Sequence, residues 1–398
     1  MTIQELKREF INLYGGGAED IRVFRSPGRV NLIGEHIDYN GGKVLPAALS
    51  MSSTAAVRRT GGGKVRLKAT DLETVVTLDL SQIGAYKALP WGNYQAGVID
   101  ELVKAGYGVT GCDILYHDTV PLGSGLSSSA AIEVVTALLF ATFSNEDRGI
   151  SAPVDGVEMA LIGQRAENNY VGVSCGIMDQ FASAMGKKDQ AILLDCRTLE
   201  YTYTPLALGD CALVIGNTKK KRGLADSKYN KRRGECEEAL RRIQTVRPEV
   251  ENLCALTPEA FEALESAIGD ATLLRRARHV VEENDRVSRS VKALQAGELE
   301  TFGRYLNASH ASLRDLYEVT GHELDSMVAC MQREEGVLGA RMTGAGFGGC
   351  TVALVRRDRV DSVIRAAAAG YEKATGLKPE FYISGAEDGC HEVLGEDA

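Results

Sequence analysis

The chain has 398 residues, 44% of them apolar and 25% charged, with a formal net charge of −9. Length and balance together predict two domains of ordinary size with ample core. The acidic surplus excludes non-specific attraction to nucleic acid or an anionic membrane, so an anionic substrate needs a locally basic pocket.

Met1 to Tyr14 carries Ile3, Leu6, Phe10 and Leu13 at helical spacing among charges, an amphipathic helix without the apolar stretch of a signal sequence. After a Gly15-Gly16-Gly17 turn, Arg22 to Ile33 reads as a strand with Val30 and Leu32 on one face. It ends in a dense polar cluster: Arg29, Asn31, Glu35, His36, Asp38, Tyr39 and Asn40, punctuated by Gly28, Gly34, Gly41 and Gly42. Taken singly these are ordinary loop residues. Taken together they form a donor and acceptor array suited to a polyhydroxyl ligand, whose hydroxyls each want both kinds of partner.

Thr54–Arg59, Lys64–Ala69 and Thr74–Leu80 are strand-like, and Gly61-Gly62-Gly63 signals a hairpin between the first two. Trp91 opens a segment leading into a helix that reaches about Ala105; it reads as a core residue, with contact to a nucleotide base as the alternative. Asp113 to His117 is a strand.

It feeds Pro121-Leu122-Gly123-Ser124-Gly125-Leu126-Ser127-Ser128-Ser129-Ala130-Ala131, a Gly/Ser loop opening directly into an apolar helix from Ala130 to about Phe143. First-turn N–H groups lack partners inside a helix, and the dipole places roughly half a positive charge there. Small residues leave that end open to an anion, which makes a phosphate cradle. A serine-rich helix cap is the plainer reading.

Glu158 to Tyr170 reads as a helix bearing Gln164, Glu167 and Asn168. Gly172 to Phe181 turns into a short helix with Asp179 near its start, where a carboxylate often caps. Strands follow at Gln190–Asp195, Tyr201–Pro205 and Cys211–Ile215, with a domain boundary placed within 205–209. The basic run Lys219-Lys220-Lys221-Arg222 reads as a solvated face or as attraction for a nucleotide. From Lys228 to Leu313 the chain is mostly amphipathic helix, for example Arg232–Thr245 and Thr272–Leu294. Arg341 to Cys350 is a glycine-rich bend that lets backbone pass close to a neighbour or a ligand. A strand at Thr351–Val355, a helix to about Thr375 and a strand at Phe381–Ile383 form a β-α-β pattern.

No run reaches the roughly 18 apolar residues that a membrane-spanning helix needs. The nine cysteines are scattered, without CxxC or zinc spacing, and predict mostly buried free thiols in a reducing cytoplasm, the expected location.

Three motifs together resemble the galactokinase family of the GHMP small-molecule kinases: Pro27 to Gly42, Gly125 to Ala130, and Met342 to Cys350. Family-like segments between them include Cys175–Phe181, Ala225–Tyr229, Arg232–Cys236 and Ser312–Arg314. The resemblance implies a two-domain α+β GHMP kinase fold, residues 1–205 and 206–398, with the active site between the domains. It implies MgATP-dependent phosphorylation of the C1 hydroxyl of α-D-galactose. Gly123, Ser124, Gly125, Leu126, Ser127, Ser128 and Ser129 would wrap ATP phosphates, and Ser129 and Glu167 would hold Mg²⁺. Asp179 matches the catalytic carboxylate and Arg29 its partner, while Glu35, His36, Asp38, Gly176 and Tyr229 match sugar-binding positions. The expected partners are galactose and ATP alone, acting on a monomer without nucleic acid or membrane.

Ile37 replaces a threonine common in bacterial-type galactokinases and resembles the N-acetylgalactosamine kinase branch, whereas Gly41-Gly42 points back to galactokinase. Thr320-Gly321-His322 departs from the usual Ser-x-Pro at a helix start. A non-catalytic galactose- and ATP-binding regulator is the alternative from another class; such proteins carry a damaged phosphate loop, and Ser127 to Ala131 is intact here.

Overall fold

A computed structural model describes residues 1–220 and 225–394, without the side chains of 225–227. Its first sheet has six strands in the order His391–Glu392, Arg22–Asn31, Pro46–Arg59, Cys112–Asp118, Lys64–Ala69 and Val76–Asp79. Period-2 alternation sorts its side chains between two layers. Val23, Ala56 and Leu115 meet Leu6 and Phe10 of the N-terminal helix, Ile3–Tyr14. Phe24, Val57, Ile114 and Tyr116 face the opposite layer, built on the helices Asn93–Lys104 and Ser128–Asp147. The N-terminal helix begins with a reciprocal Thr2–Glu5 capping box. Leu13, expected on its apolar face, is 38% exposed.

Gly61-Gly62-Gly63 does not close a hairpin. Cys112–Asp118 lies between the two expected partners, antiparallel to Pro46–Arg59 and parallel to Lys64–Ala69. A parallel pair needs a crossover, which the Val76–Asp79 strand and the Asn93–Lys104 helix provide. The glycine turn instead grips the entry to the inserted strand: Thr60 N–H donates to Gly111 O and Gly111 N–H to Gly62 O, both at 2.9 Å.

A second sheet runs Val337–Thr343, Cys350–Arg356, Cys211–Asn217, Glu380–Ser384, all antiparallel. The expected β-α-β unit is present around the helix Val360–Thr375, with Cys211–Asn217 inserted between its strands. Lys43–Val44, Gln190–Asp195 and Tyr201–Pro205 make a third, small sheet. The largest apolar cluster runs from Val30 to Ala386, so core packing is continuous across residue 205.

Ser128–Asp147 amends one expectation. By length and composition alone it could cross a membrane, with a mean hydropathy of 1.2 over its best window. That window is 67% buried in the fold, which makes it an interior helix, apolar all round. The helix expected to reach Tyr170 ends as α-helix at Arg165 and continues as a π-turn over Ala166–Val171. None of the nine cysteines is in a disulfide; four are buried and five half-buried.

Candidate active site

Besides Tyr94 of the helix Asn93–Lys104, five segments converge on a cleft of ≈ 460 Å³, within the usual range for a small-molecule site. They are the end of Arg22–Asn31 with the turn after it, the Gly/Ser loop, the π-turn with the Met178–Met185 helix, the start of the Ala225–Gln244 helix, and the glycine bend. Of the residues expected at the site, Arg29, Glu35, His36, Asp38, Gly123, Gly125, Ser127, Ser128, Ser129, Glu167, Gly176, Asp179 and Tyr229 all line it.

The loop curls because Gly123, Gly125 and Ser127 each take a left-handed conformation, at φ +67°, +81° and +62°. Alternating handedness turns successive N–H groups toward one side, the geometry of an anion nest. Ser127 sits at the N-cap position of Ser128–Asp147, yet its hydroxyl makes no cap bond. It donates instead to Asp179 Oδ2 at 2.5 Å. Ser124 and Leu126 are buried and shape the loop from behind: Ser124 Oγ donates to Pro121 O, and Leu126 O accepts from Arg29 N–H.

Asp179 lies in the first turn of Met178–Met185 but caps nothing. Its carboxylate accepts Arg29 Nε at 2.8 Å on Oδ1 and Arg29 Nη2 at 2.7 Å on Oδ2. This fork-to-fork pairing fixes both groups in direction as well as distance. Arg29 Nη1 donates to Gly125 O at 2.6 Å, so one guanidinium ties the carboxylate to the phosphate loop. Burial opposes its charge, but Asp179, Glu35 and Asp38 outweigh that cost and hold its pKa above the ordinary value. Gly28 allows the approach, since a Cβ there would lie 2.6 Å from Leu126 O.

Asp38 shares the cleft with the carboxylates Glu35, Glu167 and Asp179. Burial first, then Asp179, raises its pKa to about 7. Gly176 passes so close that a Cβ would lie 1.9 Å from Asp38 Oδ2. Glu35 is held from the far side of the cleft. Its Oε1 accepts from Gly344 N–H at 2.8 Å and Thr343 Oγ1 at 3.0 Å, and Arg341 lies 3.0 Å away in a fully buried ion pair. Arg341 also donates to the carbonyls of Asn31 and Leu32. Thus the glycine bend serves the first motif and also lines the cleft through Gly344 and Ala345. Arg341 and Thr343 were missed as positioning residues; the available signal was a lone arginine in the otherwise apolar strand Val337–Thr343.

His36 lines the cleft with its ring nitrogens engaged by the protein, Nδ1 by Tyr39 Oη and Nε2 by Ala345 O. Burial drops its pKa to about 3, so the imidazole is neutral. Tyr229 stacks near it, ring centroids 5.6 Å apart. Ile37 is fully buried in the main core and does not line the cleft, so the departure from threonine does not itself touch a ligand there. Trp91 is half-buried against the core and donates to Thr74 Oγ1; Tyr94 is the aromatic residue of that segment on the cleft. Thr320 precedes the helix Gly321–Gln332 without a side-chain cap bond.

Ser129 and Glu167 both line the cleft, one with a hydroxyl and one with a carboxylate, the hard oxygens that Mg²⁺ takes. Glu167 sits at the π-turn, a distortion frequent at functional sites. Gln180 Nε2 donates to its Oε2 at 2.7 Å and to Glu133 Oε2 at 2.8 Å. Among the described residues no cluster of three or more His, Cys, Asp or Glu could hold a metal without other ligands. Two protein oxygens suit a cation that keeps phosphate and water ligands. Of the basic run, Lys219 pairs with Glu380 and Lys220 with Glu323 at the surface, as a solvated face does. Lys221 and Arg222 lie outside the described residues, as do the side chains of Ala225, Asp226 and Ser227.

Family models match three stretches: the galactokinase galactose-binding signature at 8–59, the GHMP kinase N-terminal domain at 93–187 and the GHMP kinase C-terminal domain at 290–373. Galactokinase from Clostridium tetani is 49% identical over 99% of this chain and 98% of that protein. Galactokinase from Lactiplantibacillus plantarum is 46% identical over 99% of this chain and all of that one. The crystal structure of Lactococcus lactis galactokinase complexed with galactose superposes with a TM-score of 0.93 at 42% identity, covering 98% of this chain and 100% of that one. Methanococcus jannaschii mevalonate kinase, at 19% identity and a TM-score of 0.66 over 92% of this chain and 98% of that one, shares the fold.

Proposed function

Because the chain belongs to the galactokinase family, we propose that it transfers the γ-phosphoryl group of MgATP to the C1 hydroxyl of α-D-galactose. The observation that carries this reading is the Arg29–Asp179 fork, set between the phosphate loop and the Glu35–Asp38 array in one cleft.

A carboxylate offers about four lone-pair sites. Arg29 and Ser127 fill three of those on Asp179, leaving room on Oδ1 for a substrate hydroxyl. Asp179 would accept the C1 hydroxyl proton there and aim its oxygen at the phosphoryl group. Arg29 neutralises the carboxylate and stabilises charge on the moving group, where positioning and electrostatics carry most of the catalysis. Glu35 and Asp38 would accept from the other sugar hydroxyls. Gly176 gives backbone room beside Asp38, and Tyr229 presents its ring.

Gly123 to Ser129 would hold the ATP phosphates on backbone N–H groups. Bound Mg²⁺ would neutralise phosphate charge. Ser129 and Glu167 fit it by donor type and place, so Ser129→Ala is expected to raise the Mg²⁺ concentration needed for half-maximal turnover. An unchanged Mg²⁺ titration removes Ser129 from that role. The division at about residue 205 is retained as two domains around the cleft, with the C-terminal strand His391–Glu392 returning to the first sheet.

The reading is tested by ADP release from the purified chain with ATP and galactose or N-acetylgalactosamine. Galactose-dependent ADP release well above that with the acetylated sugar is expected. Preference for N-acetylgalactosamine, or galactose binding without ADP release, contradicts it.

A further inference from the structure

His36 is a histidine in the left-handed region, at φ +64°, where a non-glycine residue is strained. Strain of that kind persists only where surroundings over-determine the conformation. Three contacts do so. Asn40 Nδ2 donates to His36 O at 3.0 Å, Tyr39 Oη lies 2.8 Å from Nδ1, and Ala345 O lies 3.2 Å from Nε2. Tyr39 Oη continues to Tyr317 Oη at 2.9 Å, and Tyr317 Oη to Cys236 Sγ at 3.1 Å.

The direction of every bond in this row follows from its first member. A carbonyl oxygen can only accept, so Nε2 carries the His36 proton. A neutral imidazole then has Nδ1 as acceptor, and Tyr39 must donate to it. Having spent its proton, Tyr39 must accept from Tyr317, and Tyr317 in turn must accept from the Cys236 thiol. The reverse order would set the Nε2 lone pair against that of Ala345 O. Burial supports neutrality throughout: it lowers His36 to about 3, raises Cys236 to about 12, and raises both tyrosines. Tyr317 also packs against the rings of His36 and His279, with centroids 4.9 and 4.5 Å away and the planes tilted.

We propose that Cys236, Tyr317 and Tyr39 form a one-way hydrogen-bonded strut that holds His36 in its strained conformation, making the two tyrosines positioning residues for the sugar-binding carboxylates Glu35 and Asp38. The strut joins the turn after the first strand to the helix Ala225–Gln244 and to the π-turn Leu313–Tyr317. His36 contributes to the pocket through where it puts its neighbours, with its ring nitrogens committed to protein partners. The inference rests on the proposed sugar role of Glu35 and Asp38.

Two measurements test it. Nitrogen NMR of imidazole-labelled protein reads the His36 tautomer without any ligand, and a neutral Nε2–H ring is expected. Calorimetry with galactose on Tyr39→Phe and Tyr317→Phe should show Kd raised roughly threefold to tenfold, the scale of one hydrogen bond. The effect should be larger at Tyr39, while affinity for an ATP analogue stays unchanged. Cys236→Ser, which keeps a donor, should bind galactose more tightly than Cys236→Ala. An Nδ1–H tautomer overturns the proposal whatever the sugar result. So does wild-type galactose affinity in a folded Tyr39→Phe protein. Failure of the galactokinase reading would appear separately, as absent ADP release with the expected tautomer intact.

Discussion

Asp38 shows how one side chain is set by its surroundings. Its pKa is raised from 3.8 to about 7 by burial and by Asp179 and Glu35 against the pull of Arg29. The folded state keeps this proton where the unfolded chain has lost it. Its contribution to stability is therefore full below 3.8 and declines as pH rises toward about 7. Sugar hydroxyls donate to the ionised form, so galactose should release a proton on binding below about pH 7. Calorimetry in two buffers of different ionisation enthalpy should show a buffer-dependent heat that Asp38→Asn abolishes. Identical heats in both buffers would contradict this assignment. That Asp38 belongs with Glu35 and Arg29 was legible from their spacing around Gly28 and Gly34. Its protonation was not, because that depends first on burial and then on Asp179, 141 positions away in the chain.

At the scale of elements, the phosphate loop was readable and the pairing of strands was not. Small residues before an apolar run announce an open helix N-terminus, and the structure places it on the cleft. Gly61-Gly62-Gly63 carried an equally plain hairpin signal, yet Lys64–Ala69 pairs in parallel with a strand whose register match to Val65, Cys112, lies 47 positions further along the chain. Local chemistry cannot encode such an insertion. The π-turn at Glu167 was hidden too, since its sequence continues a helical pattern. Gly28 links loop to strand, and its test is direct. Gly28→Ala puts a Cβ 2.6 Å from Leu126 O and 3.0 Å from Val120, a backbone clash on one side. Overpacking of this kind costs about 1–3 kcal/mol. A lower Tm with KM for ATP rising more than KM for galactose is expected, because the loop must move to relieve the clash. A variant with wild-type Tm and KM for ATP would show that the contact is slack.

For the whole molecule, the cleft exists because both halves of the chain supply walls that neither completes alone. Arg341 and Thr343 reach from the second sheet to hold Glu35, and the strand His391–Glu392 returns to the first sheet. Three motifs distant in sequence thus line one cleft, and their resemblance to one family was legible in the sequence. What it could not supply was direction: that Ser127 turns from its helix toward Asp179, and that Arg29 grips Asp179 with two nitrogens and Gly125 with the third. If this fork drives phosphoryl transfer, Asp179→Asn must impair turnover without impairing the fold. Asparagine keeps the shape, is among the best capping residues, and cannot take a proton or balance Arg29. A folded variant that still binds galactose and turns over about 10²–10⁴-fold more slowly, the range for loss of a general base, is expected. A folded Asp179→Asn enzyme with near-wild-type turnover would contradict it.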